Sequence, residues 1–405
     1  MKRGCKLLGV LVAALFAAAA VMMLVQQNRE MEHSVYFQYA PEFGSLNGSD
    51  NLTTVPLQTF DEYESTYSPI KSNYFFQQLN QAEQQIYHAF LYACEQGFNV
   101  LSFPDRIADA FDIKKIFHFV QCDYPWMEMN TALTLYTQTM TSLGVLQQPV
   151  QTIQISGQLQ EEVERKKQAI ERAEQMVDSI PEDITSERDK ARWLYQGLIQ
   201  YTAYTEQIDY ISSAPGYLYD ALITGSTNCD GFAKGLAVLF NLAGLDCVCV
   251  YHNGDGPDEE GHTWNIAEIE GQYYHFDPTF DSAMVQYTQS DETFPYFQFS
   301  DLLLEKPIDA ELALYAPACN NSDYDDAEQI VLPDALSENK IRERVSREIS
   351  QAFRRGRSFV ALSSPGFLAM SGDEQVAWLE TMMKNSGQRY QVLTSDQSRT
   401  IMIGK

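Results

Sequence analysis

The stretch from Ala214 to Phe280 restricts what this chain can fold into more than any other part of it. Asn228-Cys229-Asp230-Gly231-Phe232 leads into an apolar stripe at Phe232, Leu236, Leu239, Phe240 and Ala243. That stripe recurs at helical spacing and stops at Gly244, so Cys229 is expected at a helix N-terminus. Unpaired backbone N–H groups and the helix dipole there favour a thiolate, and the same N–H groups can hold an oxyanion. A strand is expected over 246–251, followed by a turn-rich loop over 253–261. Residues 262–269 then alternate as a second strand, and Gly271 turns the chain into a hairpin partner over 273–277. Residues equidistant from a turn near 270 pair, so His262 falls beside Asp277 or its neighbour. An aspartate on one imidazole nitrogen fixes the ring's tautomer and leaves the other nitrogen to face a thiol. Nucleophile, base and orienting acid are then Cys229, His262 and Asp277.

Three blocks carry a resemblance: Cys229-Asp230-Gly231-Phe232-Ala233, His262-Thr263-Trp264-Asn265, and Tyr273-Tyr274-His275-Phe276-Asp277-Pro278-Thr279. In order and content they resemble the transglutaminase-like branch of the papain-like superfamily. The resemblance covers Tyr217 to Phe280 and implies an α+β fold, with a helix bearing Cys229 packed on an antiparallel sheet bearing His262 and Asp277. It also implies acyl transfer at a carbonyl. In that family a second oxyanion donor comes from upstream of the cysteine. Trp193, Tyr217 and Tyr219 are candidates here, and no substrate-binding residue is assigned.

Other reactive side chains read as structural. Cys247 and Cys249 share one face of a single strand, which suits a core and not a bridge between them. Cys94 and Cys122 are candidates for a disulfide. His252 and His275 read as satisfied structural histidines, although His275 shares the strand face of Asp277. Cys229, Cys247, Cys249 and His252 contain no CxxC pair, so neither a metal nor any other cofactor is expected.

Lys2, Arg3 and Lys6 precede an uncharged apolar run from Leu7 to Val25, close to the ~20 residues a helix needs to cross a bilayer. Residues 1–30 are therefore expected to be a membrane anchor or signal peptide, with the rest of the chain outside the cytoplasm: a membrane protein with a single N-terminal span, or a secreted one. Residues 31–70, with scattered Gly and Pro and no period, read as a linker. Residues 71–156 read as a small α+β accessory domain, opened by a helix that Asn80 caps with Glu83. A second helix is expected over 105–120. The catalytic domain is expected over 157–310. In its first capped helix Trp193, Leu194, Leu198 and Tyr201 read as one core face. Residues 330–405 read as a C-terminal α/β accessory domain in the order helix, strand, helix, strand, strand.

There are 28 Lys and Arg against 55 Asp and Glu, a formal net charge of −27. A surface that acidic repels phosphate, so no nucleic-acid partner is expected. The basic run from Lys340 to Arg357 reads as a solvated helix face, with an electrostatic dock for an anionic wall polymer or another domain as the alternative. Hydrolysis by a cysteine peptidase or amidase is the favoured reaction, on protein or cell-wall peptides of a bacterial surface. Protein cross-linking by a transglutaminase and an idle peptide-binding module are the alternatives. Four acids between Asp255 and Glu260 precede His262 and would favour cationic substrates if they rim the cleft. Nothing in the residues sets an oligomeric state.

Overall fold

The computed structural model describes residues 36–40, 53–56, 72–96, 100–104, 111–126, 133–138, 141–142, 145–146, 150–155, 159–205, 218–253, 261–288, 294–301, 304, 306–325, 327–332, 338–357, 359–364, 366–367, 370–384, 391–393 and 400–404. The expected anchor over 1–30, the acidic loop over 255–260 and Tyr217 lie outside these residues. Among the described residues no helix is long and apolar enough to cross a membrane.

The elements fall into two units. The first takes the described residues of Met1–Thr66, Leu79–His118 and Thr131–Val163. It holds strands β1 (Tyr36–Ala40) and β2 (Thr53–Pro56), helix α1 (Gln81–Gln96) and strand β3 (Val100–Pro104). Helix α2 (Ile113–Asp123) begins in it, and β4 (Leu133–Gln138), a two-residue pair β5 (Thr141–Ser142) and β6 (Val145–Leu146), and β7 (Val150–Ile155) follow. Five strands form one antiparallel sheet in the order β2-β1-β3-β7-β4. β1 and β2 lie inside the stretch read as linker. Their ladder partners come from each other and from β3, a long-range pairing that no local period reveals. Asn80 accepts the N–H groups of Ala82 and Glu83, while Glu83 accepts that of Asn80, so α1 opens with the expected capping box. α2 starts later than expected, where Asp112 accepts the Lys115 N–H; residues 105–110 lie outside the described residues.

The second unit takes the described residues of Tyr67–Gln78, Phe119–Asn130 and Glu164–Lys405. After α3 (Leu159–Asp178), helix α4 (Glu187–Tyr201) is capped by Ser186, whose hydroxyl accepts the Asp189 N–H at 3.1 Å. Its buried stripe is Ala191, Leu194, Tyr195, Leu198 and Ile199, spaced by three, four and seven. Trp193 and Tyr201 sit off that stripe and are 41% and 40% exposed, which corrects their placement in the core. The short parallel pair β8 (Ala203–Tyr204) and β9 (Ser226–Thr227) precedes α5 (Cys229–Leu242). β10 (Cys247–His252), β11 (His262–Ile269) and β12 (Gln272–Phe276) form an antiparallel sheet in that order, and α6 (Pro278–Thr288) leaves its end. α5 is buried along nearly its whole length, and its Gly235 lets Leu198 of α4 approach to within 3.3 Å of where a Cβ would stand.

The C-terminal elements are β13 (Ala327–Val331), α7 (Glu338–Arg354), β14 (Phe359–Ser363), α8 (Gly372–Met383), β15 (Gln391–Leu393) and β16 (Thr400–Gly404). From α7 onward the order matches expectation. β13 is additional and pairs parallel with β14, in a sheet of order β13-β14-β16-β15. Alternation gives this sheet two apolar faces. Val360, Leu362, Ile401 and Ile403 pack with Val345, Ile349 and Phe353 of α7 and with Leu379 of α8. Phe359, Ala361 and Met402 face the other way and pack with Tyr296 and Phe299. On α7, Arg344 pairs with Glu348 one turn away at 2.9 Å. Mixed helix and sheet throughout make the architecture α+β, as expected.

Candidate active site

Cys229 is the first residue of α5. The preceding Asn228 caps the helix, its side-chain oxygen accepting the Gly231 N–H at 3.3 Å. The N–H groups of the first turn have no intrahelical acceptor, and Cys229 stands among them. A side chain at position 231 would put its Cβ 1.9 Å from the Thr227 hydroxyl oxygen, so only glycine lets the helix start against β9. Cys229 is half-buried, whereas Cys94, Cys122, Cys247, Cys249 and Cys319 are buried free thiols. Burial pushes the Cys249 thiol up to about 12, and it raises Cys122, Cys247 and Cys319 as well. Cys94 and Cys122 are thus not joined in a disulfide.

The β11–β12 ladder pairs Asn265 with Phe276 and Ile266 with His275. One step past the ladder this register sets Asp277 opposite Trp264, so His262 reaches Asp277 along the diagonal of the same sheet face. His262 Nε2 and Asp277 Oδ2 lie 2.6 Å apart. The other oxygen of Asp277 accepts the N–H groups of Thr279 and Phe280 at 3.1 and 3.3 Å, capping α6, with Pro278 at the first helical position. One carboxylate therefore starts a helix and holds an imidazole. Because a carboxylate only accepts, Nε2 carries the proton and Nδ1 is left to face Cys229. Burial alone would lower the His262 pKa. The charge and hydrogen bond of Asp277, helped by Cys229, outweigh it and raise the ring to about 10.

The site is walled by rings. Trp264 stacks on His262 with an interplanar angle of 16° and centroids 5.7 Å apart, and Phe280 lies 4.8 Å away. A small pocket beside His262 and Asp277 is lined by Trp264, Phe280, Tyr296 and Lys306. Asp281, fully buried, accepts the Tyr195 hydroxyl at 2.6 Å and the Tyr296 N–H, so α4 and α6 brace the wall residue Tyr296. Asn265 spans from β11 to the backbone carbonyl of Ala233 on α5 at 2.9 Å, tying the sheet to the helix.

The arrangement brings His262 together with Asp277 at 2.6 Å, and Cys229 acts on the same ring. Of the proposed second oxyanion donors, Trp193 is on the exposed face of α4 and Tyr219 leads into a π-turn at Asp220–Thr224. His275 is buried and satisfied, as expected: its Nδ1 accepts the Trp264 indole N–H at 3.0 Å and its Nε2 meets Asp301 at 2.8 Å. Trp264, Thr263 and Asp301 escaped the sequence reading as site residues. The alternation His-x-Trp on β11 against His-x-Asp leaving β12 was the signal available for the first.

No family profile matches the chain. Over 89 residues, 20% of the chain, it is 37% identical to the kyphoscoliosis peptidase of Mus musculus and 36% identical to that of Homo sapiens. The chain spans 14% of the length of these curated relatives. A crystal structure of a TGase overlaps 52% of this chain and 57% of its own at 15% identity, with a TM-score of 0.26, too low to decide anything about the reaction.

Proposed function

We propose that the chain is a thiol acyl-transfer enzyme that hydrolyses amide bonds, acting outside the cytoplasm on protein or cell-wall peptides. The observation that carries this reading is the half-buried thiol of Cys229 at the start of α5, acting on the charge of an imidazole that Asp277 holds at 2.6 Å. The Cys229 sulfur attacks the amide carbon and forms a thioester. His262 gives its proton to the leaving amine as the C–N bond breaks. Water, giving a proton back to His262, then attacks the thioester and releases the acid and the thiol. Similarity to a peptidase over 89 residues supports hydrolysis over cross-linking.

Incubating the full chain with unfolded protein and with wall-peptide fragments tests this. New N-termini that vanish in Cys229→Ala are expected. Ammonia release without new N-termini would instead mean cross-linking. Absence of any product, with Cys229 no more reactive than the buried thiols, would leave a binding module.

A further inference from the structure

His275 Nε2, an Asp301 oxygen and the Cys319 sulfur lie within 4.8 Å of one another, a grouping that resembles a metal site. The hydrogen bonds decide otherwise. An indole N–H can only donate, so His275 Nδ1 accepts from Trp264, and in the neutral ring Nε2 carries the proton. That proton points at Asp301, 2.8 Å away, and leaves Nε2 no lone pair for a metal. The second Asp301 oxygen accepts the Cys319 N–H at 3.0 Å, and the Cys319 thiol lies 3.9 Å from the Pro317 carbonyl. The His275 hydrogen bond holds the Asp301 carboxyl below its ordinary range, against the opposing effect of burial. A directed chain results: Asp301 accepts from His275, and His275 accepts from Trp264.

The chain ends on His262. Asp277 grips that ring at one atom, and the terminal torsion of a histidine is broad, so a second restraint is needed to set its plane. The face of Trp264 supplies it, within 16° of parallel. We propose that Asp301 and His275 are positioning residues for the acyl transfer, acting through the indole of Trp264 to hold the plane of His262. The sheet repeats one diagonal to build this, His262 to Asp277 and Trp264 to His275. His275 is completely buried and pinned by backbone hydrogen bonds to Phe299 in both directions, while the Asp301 side chain is 43% exposed. The end of the chain at Asp301 can therefore be altered at the surface.

This inference rests on the proposed roles of Cys229 and His262, and two measurements on the full chain separate them. The first is the rate of iodoacetamide modification of Cys229 against pH, by mass spectrometry, in wild type, Asp301→Ala, Trp264→Phe and the double variant. Asp301→Ala is expected to slow modification at pH 7 by about tenfold, as a misplaced base does, and to move the pH profile. Trp264→Phe, which keeps a ring face and loses the N–H, should do the same, with no further loss in the double variant. A wild-type profile in folded Asp301→Ala, or losses that multiply in the double variant, would overturn the proposal. The second is the tautomer of His275 by nitrogen NMR, which does not depend on any reaction. A proton on Nε2 is expected. A proton on Nδ1, or loss of the Nε2 signal on adding zinc, would overturn the proposal even if Asp301→Ala failed to fold. If His262→Ala reacted like wild type, the thiol reading itself would fall, while the tautomer still judged the hydrogen-bond chain.

Discussion

The hydroxyl of Thr263 donates to the carboxylate of Asp230, so the residue after the candidate base is bonded to the residue after the candidate nucleophile. Both side chains are buried. The separation of Cys229 and His262 is therefore set by a link one residue removed, on the shielded side of the same two elements, α5 and β11. Removing the donor while keeping the shape, Thr263→Val, leaves the buried carboxylate one partner short. A loss of about 1–3 kcal/mol in urea unfolding is expected, together with slower modification of Cys229. Unchanged stability would mean that other contacts of Asp230 set this spacing.

Exposure separates the thiols. Native protein treated briefly with iodoacetamide near neutral pH should carry the label on Cys229, at least about tenfold ahead of Cys94, Cys122, Cys247, Cys249 and Cys319. Cys229→Ala should remove the fast phase. Peptide mapping that finds a buried cysteine labelled equally fast would contradict the site.

The His262 and Asp277 pair makes a signed prediction about pH. The ring's pKa is raised to about 10 in the folded protein, above an unfolded value of about 6.5. A raised pKa contributes stability that is fully present below the unfolded value and is lost as pH rises through the folded one. Asp277→Asn removes the carboxylate charge responsible. The melting temperature of wild type should exceed that of Asp277→Asn most near pH 6, and the gap should narrow steadily toward pH 10. A gap that widens with pH would show that His262 is not held as imidazolium.

Gly231→Ala tests the start of α5. Its Cβ would fall 1.9 Å from the Thr227 hydroxyl oxygen, so the helix start or β9 must move. A cost of about 1–3 kcal/mol is expected, with slower Cys229 modification. Adding Thr227→Ala, which removes that oxygen, should recover part of both. No effect of Gly231→Ala would show that this contact yields freely.

Local chemistry made much of the site legible in the residues. The apolar stripe ending at Gly244 sets Cys229 at a helix start, and the turn at Gly271 sets which residues of the hairpin meet. The capping pair of Asn80 with Glu83 was readable for the same reason, since both partners lie within one turn. What stayed hidden depends on distant partners. Trp193 and Tyr201 look like core by type, and only the packing of α4 shows that the buried stripe runs through Tyr195 and Ile199 instead. β1 and β2 owe their pairing to each other and to β3. Asp301 meets His275 across a segment of irregular chain, which no period could announce.

The C-terminal sheet has a consequence for how such a chain can be cut and reused. Phe359, Ala361 and Met402 back the aromatic residues Tyr296 and Phe299, and these two line the pocket beside His262. A premature stop, a protease nick or a swap of that module for another would strip the far side of the pocket wall without touching Cys229, His262 or Asp277. A fragment ending at the last of the three candidate residues would carry the reacting groups without their enclosure.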